Sequence, residues 1–240
     1  MITTHADVVG SLLRPAELLE AQKQLATEAI SVAQFKEIED RAVDDAIALQ
    51  ESVGLEVVTD GEMRRQSFQS QMTAAVSGFG AFDLDAFLWG EWYDEHGVRE
   101  KPRPRRLGAI AKLKRLRFLS ADEFIYLKAK TARIPKITIP SPGLWANFWS
   151  PKYSRHAYPT LELFLADIVA ILREEVTELM RLGATYIQID APHYGLLLDG
   201  ATRGFYEGLG WKLSDWLSLG IDLDNSLMAG FSEATFGFHI

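Results

Sequence analysis

Two kinds of apolar spacing alternate along the chain: short runs rich in β-branched residues, and longer stretches whose apolar positions recur every three or four residues. The first pattern marks short buried strands and the second amphipathic helices. An apolar run around Val8 and Val9 ends in Gly10-Ser11, and Pro15 stands where the first turn of a helix tolerates it, so the chain opens as strand, loop, helix. A helix through Glu17 to Ala29 follows. Ser31 with Gln34 three residues on has the form of a capping box for a second helix running to Ser52, which Gly54 ends. Leu55 to Thr59 is a short buried strand running into the turn Asp60-Gly61, and residues 67 to 77 have helical spacing.

From Gly78 to Arg133 the regular pattern is lost, which predicts an insertion at about 78–133, with a helix from Ala121 to Lys130 inside it. Pattern returns at Ile134 to Ile139, a strand closed by Pro140-Ser141-Pro142-Gly143, and a long irregular loop leads to Pro159. Leu161, Phe164, Leu165, Ile168, Leu172, Val176, Leu179 and Met180 define an amphipathic helix ended by Gly183, and Thr185 to Ile189 is the next strand. A helix through Trp211 to Leu219, an acidic turn at Asp222 and Asp224, and an apolar segment from Thr235 to Phe238 complete the chain. Strands alternating with helices specify parallel βαβ units. The expected architecture is one α/β domain over residues 1–240, a parallel (β/α)8 TIM-type barrel with about five of its eight strands, and therefore incomplete at the C-terminus of this chain.

Composition narrows the chemistry. Lys+Arg at 25 against Asp+Glu at 33 gives a net charge of -8, whose field repels phosphate backbones and anionic lipid, so nucleic acid and membrane are not the expected partners. The chain has no Cys, which removes disulfides, thiolate nucleophiles and Cys-ligated metal. The N-terminus lacks a basic and apolar leader pattern, and no stretch approaches the ~20 apolar residues of a membrane span, the pattern expected of a cytoplasmic protein.

In parallel βα folds, binding residues gather where strands end and helices begin. Gly10-Ser11, Asp60-Gly61-Glu62, Ser141, Asp190 with His193, and His239 all fall at predicted strand ends, on one rim. Asp60 and Glu62 can converge on an amine or a metal, or cap the following helix. Arg64 and Arg65 can hold a substrate carboxylate or pair with those acids as an ion network. Gln188, Asp190 and His193 form a polar cluster around a buried strand, a costly arrangement that points to function. His239 is either a solvated side chain or a metal ligand. Trp145, Phe148, Trp149 and Tyr153 either stack on a flat ring or pack their loop down. The basic stretch from Arg99 to Arg117, including Arg103, Arg105, Arg106, Lys112, Lys114 and Arg115, is a solvated face or a dock for a polyanionic tail. His5, His96 and His156 are loop residues.

The ordered series His5...Val9-Gly10-Ser11...Arg14-Pro15, Thr59-Asp60-Gly61-Glu62-Met63-Arg64-Arg65, Tyr186-Ile187-Gln188-Ile189-Asp190-Ala191-Pro192 and Ala234-Thr235-Phe236-Gly237-Phe238-His239 resembles the C-terminal catalytic barrel of the cobalamin-independent methionine synthase family, in its stand-alone single-barrel form. The resemblance implies a zinc-dependent methyltransferase moving a methyl group from a methylated folate to a thiol such as homocysteine. It implies that Ser11 helps hold the amino acid, that Glu62 and Asp190 face its ammonium group, and that His239 is the first zinc ligand. Phe148 or Trp149 falls where the family stacks a pterin ring, and the basic stretch would meet a polyglutamate tail. Gly10, Asp60, Arg65, Ser141 and Gln188 complete the expected binding set, with Asp190 and His193 as the expected catalytic pair.

This chain departs from the family at two places. The further zinc ligands, two Cys and a Glu, have no counterpart up to Ile240, and the family's Q-x-D-E-P reads Gln188-Ile189-Asp190-Ala191-Pro192, with His193 next. Two alternatives stay open: a metal-independent hydrolase or lyase using Asp60, Glu62 and Asp190 as acid and base, and an inactive truncated barrel. A homo-oligomer, or a partner completing the barrel, would cover an open sheet edge after the fifth strand.

Overall fold

Four parallel strands organise the protein, and everything that positions the candidate site hangs from their ends. The computed structural model describes residues 6–66, 70–81, 92–93, 99–100, 107–208 and 212–240. In chain order the elements are α1 (Ala16–Ala26), α2 (Val32–Ser52), β1 (Val57–Val58), α3 (Ser70–Ala75), β2 (Val76–Ala81), β3 (Trp92–Tyr93), β4 (Arg99–Glu100), β5 (Leu107–Arg115), α4 (Ala121–Lys130), β6 (Ile134–Pro140), a 3-10 helix (Pro142–Phe148), α5 (Leu161–Leu182), β7 (Tyr186–Asp190), α6 (Pro192–Leu196), α7 (Gly200–Gly208), α8 (Leu213–Met228) and β8 (Thr235–His239). The main sheet has the order β1-β6-β7-β8, with Thr138 opposite Gln188 and Asp190 opposite His239.

Local chemistry explains the element ends. Ser31 Oγ accepts from the Gln34 amide while Gln34 Oε1 accepts from the Ser31 amide, closing the capping box that starts α2. Gly183 ends α5 in a left-handed conformation, φ 93°, and its N–H returns to the carbonyls of Leu179 and Met180. Strand pleat then sorts the sheet into two faces. Ile137, Ile139, Ile187 and Ile189 turn toward Phe164, Leu165, Ile168 and Leu172 of α5 in one buried cluster. Each such side chain contributes roughly 1.5–3 kcal/mol on burial, so this layer fixes the register. Lys136, Thr138, Gln188 and Asp190 occupy the opposite face and are buried as well.

The structure differs from the expectation in four places. Residues 6–9 form no strand: Val8 O accepts from Lys136 Nζ, Val9 O from Gln188 Nε2 at 2.5 Å, and Gly10 O from Thr59 Oγ1 at 2.8 Å. This segment therefore crosses the polar face of the sheet, its carbonyls drawn to buried side-chain donors rather than to a neighbouring strand. The sheet is an open array of four parallel strands among the described residues, one fewer than the five expected of the incomplete barrel. Asp222 and Asp224 lie within α8 rather than in a turn, since the helix continues to Met228. Residues 70–75 are helical, but the chain then turns into β2, which pairs antiparallel with β5.

The helix foreseen at Ala121 to Lys130 is α4, and it packs against α2, α5 and β6. His5, His96, Arg103, Arg105, Arg106 and Trp211 lie outside the described residues. No described helix is long and apolar enough to cross a membrane.

Gly183→Ala tests the α5 stop. Left-handed backbone disfavours a Cβ, which would also stand 2.6 Å from Lys128 Nζ. The substitution should lower unfolding free energy by about 1–2 kcal/mol in urea titration.

Candidate functional site

The polar face of the sheet collects the sequence candidates around two buried cations, Arg65 and Lys136. Arg65 lies in the loop after β1, and its Nε and Nη2 donate to Glu123 Oε2 of α4 at 2.9 and 2.7 Å. Its Nη1 donates to Thr138 Oγ1 at 2.9 Å and to Glu62 Oε1 at 3.3 Å, and Nη2 also reaches Thr138 O at 3.0 Å. The guanidinium is thus part of an ion network, buried rather than on the surface. Arg64 instead pairs with Glu39 and Asp40 of α2 and lies over the Tyr126 ring.

Glu62 adopts φ 54° and is held from several sides. Ser11 Oγ donates to Oε2, Thr138 Oγ1 donates to Oε1 at 2.6 Å, and Arg14 Nη2 binds the carbonyl oxygens of Glu62 and Arg65 at 3.0 and 2.8 Å. Gly10 is the residue that lets the N-terminal segment approach: a Cβ there would meet Glu62 Oε1 at 2.8 Å and Thr138 Cγ2 at 2.9 Å. Asp60 accepts from the Glu62 amide through Oδ1 at 2.9 Å, while its buried Oδ2 has no hydrogen-bond partner. Burial first, then the charge of Glu123, pushes Asp60 up to about 6 against the pull of Arg65.

Asp190 closes β7 beside β8. Gln188 Nε2 donates to Asp190 Oδ1 at 2.7 Å, and His239 Nδ1 stands 3.4 Å from the same oxygen. Burial pushes Asp190 up to about 6, opposed by the Gln188 bond and helped by the charge of Glu62. Gln188 is held in turn by Lys136 Nζ, which donates to its Oε1 at 2.7 Å and to Asp7 Oδ2 at 3.0 Å. The structure therefore brings Gly10, Ser11, Asp60, Glu62, Arg65, Gln188, Asp190 and His239 to one face.

It places the remaining candidates elsewhere. Ser141 Oγ donates to Asp224 Oδ1 at 2.7 Å, and Tyr194 OH donates to Asp224 Oδ2 at 2.7 Å, tying the end of β6 to α6 and α8. The His193 ring lies 4.3 Å from that of Tyr194, tilted by 32°, and faces Trp216 edge-on at 6.3 Å. Its two nitrogens have no hydrogen-bond partner, and burial pulls its pKa down to about 4. Phe148 is in the core, 4.8 Å from the Trp145 ring and 6.0 Å from Phe79. Trp149, whose Nε1 donates to Tyr158 O at 2.9 Å, lines a cleft of about 500 Å³ with Arg155, Thr160, Glu162, Lys212 and Trp216. Among the described residues no set of three or more His, Cys, Asp or Glu is placed to hold a metal ion, so the residues present do not complete the zinc site that the resemblance implies.

Sequence reasoning missed Lys136, Thr138, Glu123, Asp7 and Asp224. The polar-apolar alternation Lys136-Ile137-Thr138-Ile139 carried the signal for the first two, because a strand with one polar, buried face must satisfy it. Glu123 and Asp7 carried none, since nothing local sets them facing Arg65 and Lys136.

Residues 1–100 match the model of the cobalamin-independent synthase catalytic domain. Over 186 residues the chain is 31% identical to a methionine synthase of Pyrococcus abyssi, covering 77% of this chain and 51% of that protein. The chain is thus similar to proteins of the cobalamin-independent methionine synthase family, its first 100 residues matching the family's catalytic-domain model. Over 205 residues it is 30% identical to a 5-methyltetrahydropteroyltriglutamate–homocysteine methyltransferase of Thermosynechococcus vestitus, covering 85% of this chain and 25% of that protein. A Listeria monocytogenes crystal structure, described as a vitamin-B12-independent methionine synthase, shares the fold with a TM-score of 0.72 at 19% identity, over 99% of this chain and 65% of that one. The chain spans about half the length of the curated relatives it matches first.

The raised carboxylates give this protein a signed pH dependence. Asp60 and Asp190 stabilise the fold fully below their ordinary value of 3.8, and that contribution is lost as pH rises through about 6. His193, lowered from 6.5 to about 4, acts oppositely, its contribution being lost as pH falls through about 4. Asp60→Asn should therefore lessen the fall in stability, or steepen its rise, between pH 4 and 6.5 relative to the parent protein. Unfolding titrations across that range check this, and an unchanged profile would show that Asp60 is not held neutral.

Proposed function

We propose that this chain carries the amino-acid-binding part of a methyltransferase that moves a methyl group from a methylated folate-type donor to a thiol such as homocysteine, forming methionine. The observation that carries it is the pair Glu62 and Asp190, two buried carboxylates on one polar face, with Asp190 beside the half-open His239. Buried carboxylates in excess of buried cations call for a positive partner, and a substrate ammonium is one. The relatives' names supply the methyl transfer and the donor class.

Each residue then has a task. Asp190 and Glu62 hold the ammonium, with Ser11 turning from Glu62 toward the amino acid. Gln188, Lys136 and Arg65 keep the carboxylates in place, Gly10 leaves room for the loop, Asp60 fixes the Glu62 backbone, and Ser141 braces the rim through Asp224. Trp149 offers a ring face for the donor, while Phe148 packs against Trp145 and Phe79. In the transfer, the bond from the donor nitrogen to the methyl carbon breaks as the bond from sulfur to carbon forms, and the donor nitrogen keeps the electron pair and takes up a proton. A free thiol with pKa ~8.5 is mostly protonated at neutral pH. In this family zinc, when bound, supplies its deprotonation; zinc dependence enters from the resemblance, with His239 as the residue facing such an ion.

Residues 1–240 make one domain in this account, with the 78–133 segment as an elaboration. The outer edges of β1 and β8 are where further strands of a (β/α)8 barrel, or a partner, would add.

Methionine formation from homocysteine and a methylated folate triglutamate, with zinc supplied, tests the proposal directly. The parent protein should turn over, and Asp190→Asn should lower kcat/KM about 100-fold, the scale of ~3 kcal/mol for losing one charged hydrogen-bond partner. No methionine from the parent protein, or full activity in the variant, would overturn it.

A further inference from the structure

Lys136 is fully buried on the polar face of β6, and its ammonium has three N–H donors and no acceptor. Nζ donates to Gln188 Oε1 at 2.7 Å, to Asp7 Oδ2 at 3.0 Å and to Val8 O. Burying an ammonium is costly even when it is paired. Here one of its three bonds goes to a neutral side chain, and that side chain leads to Asp190.

The Gln188 amide carries the contact onward. Only its oxygen can face a group that donates and never accepts, so Oε1 lies toward Lys136 and Nε2 lies at the other end. There Nε2 donates to Asp190 Oδ1 at 2.7 Å and to Val9 O at 2.5 Å, which commits both of its protons inside the protein. A charged donor on an amide oxygen draws electron density from the nitrogen and strengthens its N–H bonds as donors. Without Lys136, Oε1 would be a buried acceptor lacking its partner, and the amide would be held from one end only. Asp190 Oδ1 is then fixed by Gln188, with His239 Nδ1 3.4 Å from the same oxygen.

We propose that Lys136 is a positioning residue for the carboxylate face, acting through the Gln188 amide to fix the direction in which Asp190 meets an incoming ammonium group. It touches no ligand itself. The ligand side of this role rests on the amino-acid-binding reading above, whereas the hold on the amide does not. The rival role is simple anchoring of the N-terminal segment, because the same ammonium also binds Asp7 and Val8. Loss of the Asp7 ion pair alone separates the two.

The ¹⁵N-labelled full chain reports the amide by NMR, its Gln188 side-chain signals being those that vanish in Gln188→Met. In the parent protein both Nε2 protons should exchange slowly with water. Lys136→Met, with folding checked by circular dichroism, should speed that exchange and weaken L-homocysteine binding in calorimetry, each about tenfold, the scale of losing one charged hydrogen-bond partner. Lys136→Gln, which keeps a neutral donor and serves if the Met variant does not fold, should show a smaller loss of both. Combining Lys136→Met with Gln188→Met should weaken binding no further than Gln188→Met alone, since the two residues act in series. Asp7→Asn should leave the Gln188 signals in place. Unchanged exchange in the Lys136 variants, full homocysteine affinity beside a loosened amide, or an equal change in Asp7→Asn would overturn the proposal. A parent protein that binds no homocysteine would overturn the acceptor reading instead, and the amide signals would still decide the role of Lys136.

Discussion

A guanidinium sealed from water has to be surrounded by acceptors, and in this protein the burial of Arg65 dictates where three elements can stand. Glu123 must come from α4, Thr138 from β6 and Glu62 from the loop after β1, because together they accept from its Nε, Nη1 and Nη2. That constraint sets α4 beside the sheet and holds Glu62 in its left-handed conformation, φ 54°. Arg14 adds a second clamp on the backbone of the same loop. The N-terminal segment is then committed as well, since Ser11 donates to a carboxylate that Arg65 has already positioned. Buried ion pairs of this kind add little net stability, but they permit few alternative arrangements.

The same burial tunes the ionisable groups in opposite senses. Loss of water disfavours whichever form is charged, so Asp60 and Asp190 are pushed up while His193 is pulled down. At neutral pH the carboxylate face keeps its negative charge and the His193 space stays uncharged. The two regions therefore differ in charge although only Ala191 and Pro192 separate Asp190 from His193 in sequence. Strand direction produces this division: Asp190 is the last residue of β7 on the polar face, whereas His193 has entered α6 and meets α8.

Similarity to the methionine synthase family accounts for the first region better than for the second. The family model covers residues 1–100, which contain Gly10, Ser11, Asp60, Glu62 and Arg65, all gathered on the carboxylate face. His193 stands where this chain departs from the family's acidic motif, and its surroundings are built from the 3-10 helix, α6, α7 and α8. A cleft walled by Trp149 and Trp216 lies beside it. The Ser141–Asp224–Tyr194 chain braces the boundary between these regions.

What the sequence determined by itself was local. The capping box at Ser31, the glycine stop at Gly183, the amphipathic face of α5 and the alternating strands Ile134–Pro140 and Tyr186–Asp190 depend on neighbours a few residues away, and their spacing made them legible. The motif series also marked most of the carboxylate face, because strand ends can be located once strands can. Tertiary structure decided what depends on distant partners. Val8 and Val9 have strand-like side chains, yet their carbonyls are claimed by Lys136 and Gln188, more than a hundred residues away. Asp224 looks like a turn residue until Ser141 and Tyr194 close on it within α8. Phe148 and Trp149 are adjacent, and packing alone sends one into the core and leaves the other on a cleft. A residue's own type sets what it can bond or bury, but which partner reaches it is settled only when the sheet and its helices are packed.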